Sequence, residues 1–181
     1  MTPNWFIGWP VSSGPWLGPL LAGAPRFLRR FHEADLHVTL VFLGAVPRSA
    51  AQAAWEVALG LPMRPLVATL GRLEGFGDPR APSAFSLALH DPALVEAVRV
   101  GRGPLEAAAG IEPDRRAPRP HCTVARPART APKAERAAGL AWSRSVPALD
   151  VRVNLDRLAL YTWSADRRER QFQVVAERAL T

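Results

Sequence analysis

Two short stretches of the sequence each combine a histidine and a threonine, one residue apart, within an apolar run. The first is LHVTLVFLG, with His37 and Thr39, and the second is RPHCTVAR, with His121 and Thr123. Side chains alternate between the two faces of a strand, so each histidine shares a face with its threonine. The opposite faces are predicted to be apolar and buried, formed by Leu36, Val38, Leu40 and Phe42 in the first strand and by Cys122 and Val124 in the second.

Two imidazoles with two hydroxyls suit phosphoryl transfer on RNA. With a reference pKa of about 6.5, a neutral histidine can accept a proton from an attacking hydroxyl or water while a protonated one gives a proton to the leaving oxygen. Hydroxyls and a nearby arginine can bind the non-bridging oxygens. Arg119 falls on the side of His121 in an extended chain, whereas strict alternation turns Arg126 away from it. The positive charge comes from imidazolium and guanidinium, so no metal is predicted.

The elements that must position these residues form a coarse repeat. Strand patterns and turn residues predict the order strand, helix, His-x-Thr strand, helix, strands, followed by helix, His-x-Thr strand, helix, strands. Predicted strands cover 5–11, 36–43, 66–76, 84–90, the 121–126 region, 148–163 as one or two, and 170–180; predicted helices cover about 16–31, 49–59, 92–109 and 133–140. We expect the halves to divide roughly near residues 90–92, with intertwining of the two allowed. With no low-complexity linker there, we expect one bilobal domain over 1–181.

Composition and charge favour an anionic partner. The chain has 181 residues, a formal net charge of +7 and a pI of about 11.2, and 22 of its 23 basic residues are arginine. Composition bias explains most of the arginine excess, but the positive sum favours an anionic ligand. The sequence has one cysteine, no secretory signal at its start and no apolar run long enough to span a membrane. We therefore expect a cytoplasmic monomer that does not associate with membranes.

Other conspicuous residues are given structural roles. His32 and His90 lack a threonine partner and are predicted at the surface, and HEADLH (32–37) has no zinc-ligand spacing. Cys122 is predicted to be a core residue rather than a nucleophile. Tyr161 and Trp163, near arginines, are predicted either to stack a base or to pack in the core or at its rim. The remaining aromatic residues considered are assigned to the core: Trp5, Phe6, Phe42, Trp55 and Phe76.

The two motifs resemble the signatures of the two-histidine phosphoesterase superfamily, and most closely its bacterial and archaeal 2′-5′ RNA ligase-like RNA 2′,3′-cyclic phosphodiesterases. Weaker likenesses extend over most of the chain, from NWFIGWPV at the start to the closing strands. The resemblance implies a bilobal α+β fold with pseudo-twofold symmetry and a catalytic groove between the lobes. It also implies opening of RNA 2′,3′-cyclic phosphate to a 2′-phosphomonoester, without cofactor. Some members join tRNA half-molecules through a 2′-5′ linkage without ATP.

By position, the resemblance makes His37 the proton donor to the ribose 3′-oxygen and His121 the base that activates water. Thr39 and Thr123 would hold the phosphate, and Arg126 matches a basic residue common after the second motif. Cys122 departs from the family's usual aliphatic residue. The implied partner is RNA with a 2′,3′-cyclic phosphate end, tRNA fragments among them. A 2′-5′ RNA ligase, a related nucleotide phosphodiesterase and, more remotely, a non-catalytic RNA-binding module remain alternatives.

Overall fold

The structure, a computed structural model, describes residues 2–181 and is built from antiparallel sheets and helices. Within that range it contains four α-helices: α1 (Leu17–Ala22), α2 (Arg48–Gly60), α3 (Pro92–Ala108) and α4 (Lys133–Ser145). The same range contains ten strands: β1 (Trp5–Pro10), β2 (Leu28–Arg30), β3 (His37–Gly44), β4 (Leu66–Leu70), β5 (Leu73–Asp78), β6 (Ala81–Ala88), β7 (His121–Pro127), β8 (Val151–Leu155), β9 (Arg157–Trp163) and β10 (Phe172–Ala179). A 3₁₀ turn, Glu33–Asp35, precedes β3.

One sheet of eight strands carries both His-x-Thr motifs. Its order is β10-β9-β1-β3-β7-β6-β5, with β2 also paired to β7, while β4 and β8 form a separate two-stranded sheet. The motif strands β3 and β7 are neighbours and pair antiparallel through Val38 and Cys122. Helices α2 and α3 pack against the β1–β3 end, and α4 packs against the β5–β6 end. Each end of the sheet therefore has its own helical cover, and the motif strands meet between them.

The two ends of the sheet are interleaved in the sequence. Strands β5 and β6 precede residues 90–92 but extend the sheet on the β7 side, where β6 pairs with β7. Strands β9 and β10 follow that point but extend it on the β1 side, where β9 pairs with β1. Strands from both sides of residues 90–92 thus occur at both ends of the sheet. The core is continuous across it, because Val38, Cys122 and Val124 are all fully buried in one hydrophobic cluster.

Most of the predicted elements are confirmed, but several differ in extent: β6 begins at Ala81, before the predicted start at residue 84, and α4 continues to Ser145, beyond the predicted end at residue 140. The predicted helix over 16–31 is wrong beyond Ala22, because Gly23 ends α1 and the chain then forms β2 against β7. The predicted strand 66–76 is two strands in different sheets, separated by Gly71 and Arg72. Helix α2 begins at Arg48, one residue before the predicted Ser49 cap. By contrast, Asp91 caps α3 as its sequence suggests, accepting hydrogen bonds from the N–H groups of Ala93 (2.9 Å) and Leu94 (3.1 Å).

Between Thr2 and Thr181, no helix combines the length and apolar character needed to cross a membrane.

Candidate active site

The pairing of β3 with β7 brings the two motifs together. Opposite Val38 lies Cys122, and in an antiparallel pair the neighbours of two opposed residues face each other in reverse order. His37 is therefore set across from Thr123, and Thr39 across from His121. Because Val38 and Cys122 point into the core, with no exposed surface, both His–Thr pairs lie on the other face of the sheet. The arrangement has an approximate twofold relation about the Val38–Cys122 pair.

Each imidazole is held by the same backbone contact. Nδ1 of His37 lies 2.6 Å from the carbonyl oxygen of Asp35, and Nδ1 of His121 lies 2.8 Å from that of Arg119. A carbonyl oxygen can only accept, so Nδ1 donates its proton in both rings. In the neutral tautomer Nε2 is then the unprotonated nitrogen. Each ring can accept a proton at Nε2 when neutral and donate one from Nε2 when charged.

Aromatic rings flank both histidines. The ring of Phe6 lies 4.5 Å from that of His37, and the ring of Phe76 lies 4.1 Å from that of His121, each tilted by 31°. Around His37 there are also the rings of Tyr161 and Phe172, each at 5.4 Å. Phe6 is buried as predicted, but the assignment of Phe76 to the core is wrong, because it is only partly buried and forms part of the site. Its aromatic character alone gave no signal of this contact.

A register shift in each motif strand changes which later side chains face the site. Along β3 the pairing with β1 moves from Thr39 to Val41, and along β7 the pairing with β6 moves from Thr123 to Ala125. Such a bulge inserts one residue and reverses the alternation beyond it. Phe42 is consequently 58% exposed rather than buried, so its predicted core position is wrong.

The same shift brings Arg126 back to the face that carries His121. Strict alternation predicted that Arg126 would point away from His121, and this prediction is wrong because of the bulge in β7. Phe42 and Arg126 follow their respective histidines at the same distance in sequence. They therefore occupy equivalent positions in the two halves, one aromatic and one cationic.

Burial and positive neighbours lower the pKa values of both histidines. Desolvation lowers the pKa of His37 to about 4, with His121 and Arg126 acting in the same direction, against the hydrogen bond to the Asp35 carbonyl. Desolvation also lowers the pKa of His121, assisted by Arg119 and Arg126. Both rings are therefore neutral near pH 7 before an anion binds. His121 and Arg126 both lower the pKa of His37, and Arg126 also lowers that of His121, as expected for three side chains that lie close together.

The two threonines differ in their partners. The hydroxyl of Thr123 lies 3.0 Å from that of Ser86, which is fully buried on β6. The equivalent position beside Thr39 is Gly8 on β1. A side chain at Gly8 would collide with the Val38 carbonyl, because β1 and β3 approach closely there. Thr123 is thus oriented by a neighbouring hydroxyl, whereas Thr39 has a glycine at the equivalent position and lines the cleft.

A cleft of about 480 Å³ opens from Thr39 and His121 along the sheet. Its walls include Phe42, Phe76 and the proline-rich segment 111–120. Arg119 lies on this wall, 4.1 Å above the ring of Phe76, and donates to a Glu74 carboxylate oxygen at 2.6 Å. Arg119 is therefore at the site as predicted but already has an acidic partner.

The other residues considered from the sequence lie at the surface or make structural contacts. His32 and His90 are exposed, as predicted, and His32 accepts a hydrogen bond from Ala34 N–H at 3.1 Å. Tyr161 is buried, and the half-buried Trp163 lies beneath the guanidinium of Arg167. Among residues 2–181, no group of three or more His, Cys, Asp or Glu side chains is arranged to hold a metal ion.

Comparison with known proteins agrees with this geometry. A family model described as the 2′-5′ RNA ligase superfamily matches residues 24–167. The chain belongs to the 2′-5′ RNA ligase superfamily. The predicted kinship with two-histidine phosphoesterases is thereby confirmed, and the motifs that carry it both lie inside the matched region.

One relative in sequence and two solved structures illustrate what the chain is similar to. The chain is 28% identical over 137 residues to the RNA 2′,3′-cyclic phosphodiesterase of Bacillus subtilis (strain 168), covering 68% of this chain and 71% of that protein. E. coli LigT complexed with 3′-AMP superposes with a TM-score of 0.71 at 20% identity, covering 98% of each chain. E. coli LigT complexed with NADP+ gives 0.69 at 20% identity, covering 99% of this chain and 98% of that one. The predicted α+β fold class is confirmed.

Proposed function

We propose that the protein hydrolyses RNA 2′,3′-cyclic phosphate ends to 2′-phosphomonoesters by acid–base catalysis with His37 and His121. The observation that supports this most directly is the pair of imidazoles on one sheet face, each with Nδ1 bound to a carbonyl and Nε2 free. Simple anion binding requires neither two imidazoles nor fixed tautomers. RNA with such an end, tRNA fragments included, is the proposed substrate class.

The proposed reaction balances with these groups alone. Nε2 of neutral His121 takes a proton from water as the water oxygen bonds to phosphorus. The bond between phosphorus and the ribose 3′-oxygen breaks, and that oxygen receives the proton from Nε2 of protonated His37. The phosphate stays on the 2′-oxygen and the ribose regains its 3′-hydroxyl. Proton exchange with solvent restores both rings.

The non-bridging oxygens need partners while charge develops on them. We assign this role to the hydroxyls of Thr39 and Thr123 and to the guanidinium of Arg126. Arg119 was predicted for the same role, but its ion pair with Glu74 directs it to the groove wall over Phe76. The exposed Phe42, which lines the cleft, offers a ring face on which the terminal base can stack.

The near equivalence of the two histidines also favours 2′-5′ ligation as a second activity. Each Nε2 can donate or accept, so the same pair can serve a ribose 5′-hydroxyl in place of water. The cleft beyond His121 has room for more than a water molecule, at about 480 Å³. A mixture of two RNA ends, one with a cyclic phosphate and one with a 5′-hydroxyl, tests for the joined product.

The decisive experiment incubates the protein, with and without EDTA, with a short RNA ending in 2′,3′-cyclic phosphate and identifies the product isomer. We expect a 2′-phosphate, undiminished by the chelator, and at least about a 10²-fold loss of turnover for His37→Ala and His121→Ala. RNA affinity should be largely retained, and His90→Ala, an exposed histidine outside the site, is the matched control. A 3′-phosphate product, or activity that needs a divalent ion, would contradict the proposal. Unchanged turnover in both variants would instead indicate a binding module.

A further inference from the structure

A second cationic group lies at the His37 end of the site, in the segment 164–171 between β9 and β10. The guanidinium of Arg167 lies 4.3 Å from the centre of the Trp163 ring. One of its terminal nitrogens donates to the amide oxygen of Gln171 at 3.2 Å, and its Nε is buried without a partner. An indole face and one amide hold this side chain in place, but neither neutralises its charge.

Arg126 is linked to His37 through the rings of Phe31 and Phe172, and Arg167 is linked to Phe172 through its hydrogen bond to Gln171. Gln171 is followed by Phe172, whose ring meets that of His37 edge-on at 5.4 Å. Phe172 also contacts Phe31 at 6.2 Å, and the Arg126 guanidinium lies 5.6 Å from the Phe31 ring. Arg126 therefore contacts the aromatic cluster beside His37, and Arg167 is held next to that cluster by its hydrogen bond to Gln171, the residue before Phe172. Desolvation and then the charge of Arg167 lower the pKa of Arg126, as expected for neighbouring like charges.

Neither of these arginines has an acidic partner. In the region from Thr2 to Thr181, no carboxylate lies within 4.0 Å of Arg126 or Arg167; the arginines that do form ion pairs there are Arg99, Arg102, Arg116, Arg119 and Arg157. Two adjacent guanidiniums without a counter-charge repel each other, and a bound anion relieves that repulsion. The pair is thus arranged for a substrate with more negative charge than one cyclic phosphate carries.

We propose that Arg167 binds the phosphodiester next to the terminal nucleoside, while Arg126 serves the reacting phosphate. The inference rests on the proposed function and deepens it. The cyclic phosphate is already served by two imidazoles, two hydroxyls and Arg126, so a further cation at the rim is useful only for a second phosphate. The enzyme therefore prefers an oligonucleotide end to a 2′,3′-cyclic mononucleotide, and Arg167 sets that preference.

The test compares kcat/KM for three substrates with the same terminal nucleoside 2′,3′-cyclic phosphate. These are the mononucleotide, a dinucleotide with a normal internal phosphodiester, and a dinucleotide whose internal linkage is an uncharged methylphosphonate. For Arg167→Gln we expect about a tenfold loss on the normal dinucleotide, the scale of one charge-assisted hydrogen bond. The other two substrates should change by less than about twofold, because they lack the charge that Arg167 binds.

Arg168→Gln is the matched control, since it removes the same charge from an exposed neighbour in the same segment. Its substrate ratios should equal those of the wild type. An unchanged dinucleotide-to-mononucleotide ratio in Arg167→Gln would overturn the inference alone, and so would an equal loss on all three substrates. If the wild type hydrolyses none of the three, the proposed function fails and the inference fails with it.

Discussion

His37 and His121 share their backbone contact but not their surroundings. His37 is enclosed by the rings of Phe6, Tyr161 and Phe172, whereas His121 lies against Phe76 at the mouth of the cleft. Stronger desolvation makes the His37 imidazolium harder to populate and, once formed, a stronger acid. A strong acid suits protonation of a departing oxygen. The aromatic enclosure therefore gives the two imidazoles different acidities, which supports the donor role proposed for His37.

The lowered pKa values set the pH dependence that we expect. An acid–base pair gives a bell-shaped kcat/KM whose limbs report the two groups of the free enzyme. Both pKa values lie below the ordinary 6.5, and that of His37 is near 4. The maximum of kcat/KM should therefore lie below about pH 6.5, and kcat/KM should fall as the pH rises through neutrality. The profile of kcat should lie at higher pH, because bound phosphate favours both imidazolium forms. Initial rates between pH 4 and 9 measure both; a kcat/KM maximum above pH 7 would refute this expectation.

The sequence predicted the chemical groups but not all of their neighbours. Alternation correctly placed His37 and Thr39 on one face, because Val38 between them is buried on the opposite face. It failed beyond the threonines, where the close approach of Gly8 to Val38 and the register of β6 introduce a bulge. That shift depends on partner strands distant in sequence. Phe42 and Arg126 could therefore not be placed from their own strands.

The turn before β3 and the start of β10 are joined by Asp35. Its carboxylate, 1% exposed, accepts hydrogen bonds from the N–H groups of Gln171 at 2.7 Å and Phe172 at 2.9 Å. Its carbonyl oxygen accepts a hydrogen bond from Nδ1–H of His37. One residue thus fixes the imidazole and anchors the strand whose first ring packs against that imidazole. No sequence pattern indicated this, since HEADLH gives no sign of a contact with residues near the other end of the chain.

Asp35→Asn is expected to weaken this anchor. The amide is similar in size but has only one accepting oxygen and no charge, so a buried N–H group loses its partner. We expect the free energy of unfolding to fall by about 1–3 kcal/mol and kcat to fall more than KM rises. Denaturant unfolding and steady-state kinetics measure both. Asp78→Asn is the matched control, because Asp78 accepts from the Arg80 N–H at 2.8 Å at an exposed turn; equal losses in the two variants would contradict a special role for Asp35.

At the scale of the whole molecule, the sequence predicted a repeat and left room for its halves to intertwine, but it did not show which strands cross over. The recurring order of strand and helix patterns was visible, and both motif strands were predicted near their observed bounds. Which strands pair with which was not encoded locally, because similar apolar strands accept many partners. The pairing of β6 with β7, and of β1 with β9, crosses the apparent midpoint of the chain.

This interleaving means that neither half should fold alone. A fragment of residues 1–90 lacks β7 for β6 and β9 for β1, and a fragment of residues 91–181 lacks the complementary strands. Each would leave unpaired edges and open core surface. We expect no cooperative thermal transition from either fragment, measured by near-ultraviolet circular dichroism against the full chain. A sharp transition in either one would show that the halves are independent.

The position of Cys122 has a practical consequence. It is the chain's single cysteine and has no exposed surface, directly opposite Val38 where the two motif strands meet, and burial raises the pKa of its thiol to about 12. An alkylating reagent can reach this sulfur only while β3 and β7 are apart. The rate of labelling therefore reports how often β3 and β7 separate, and a ligand that contacts both strands should slow the labelling.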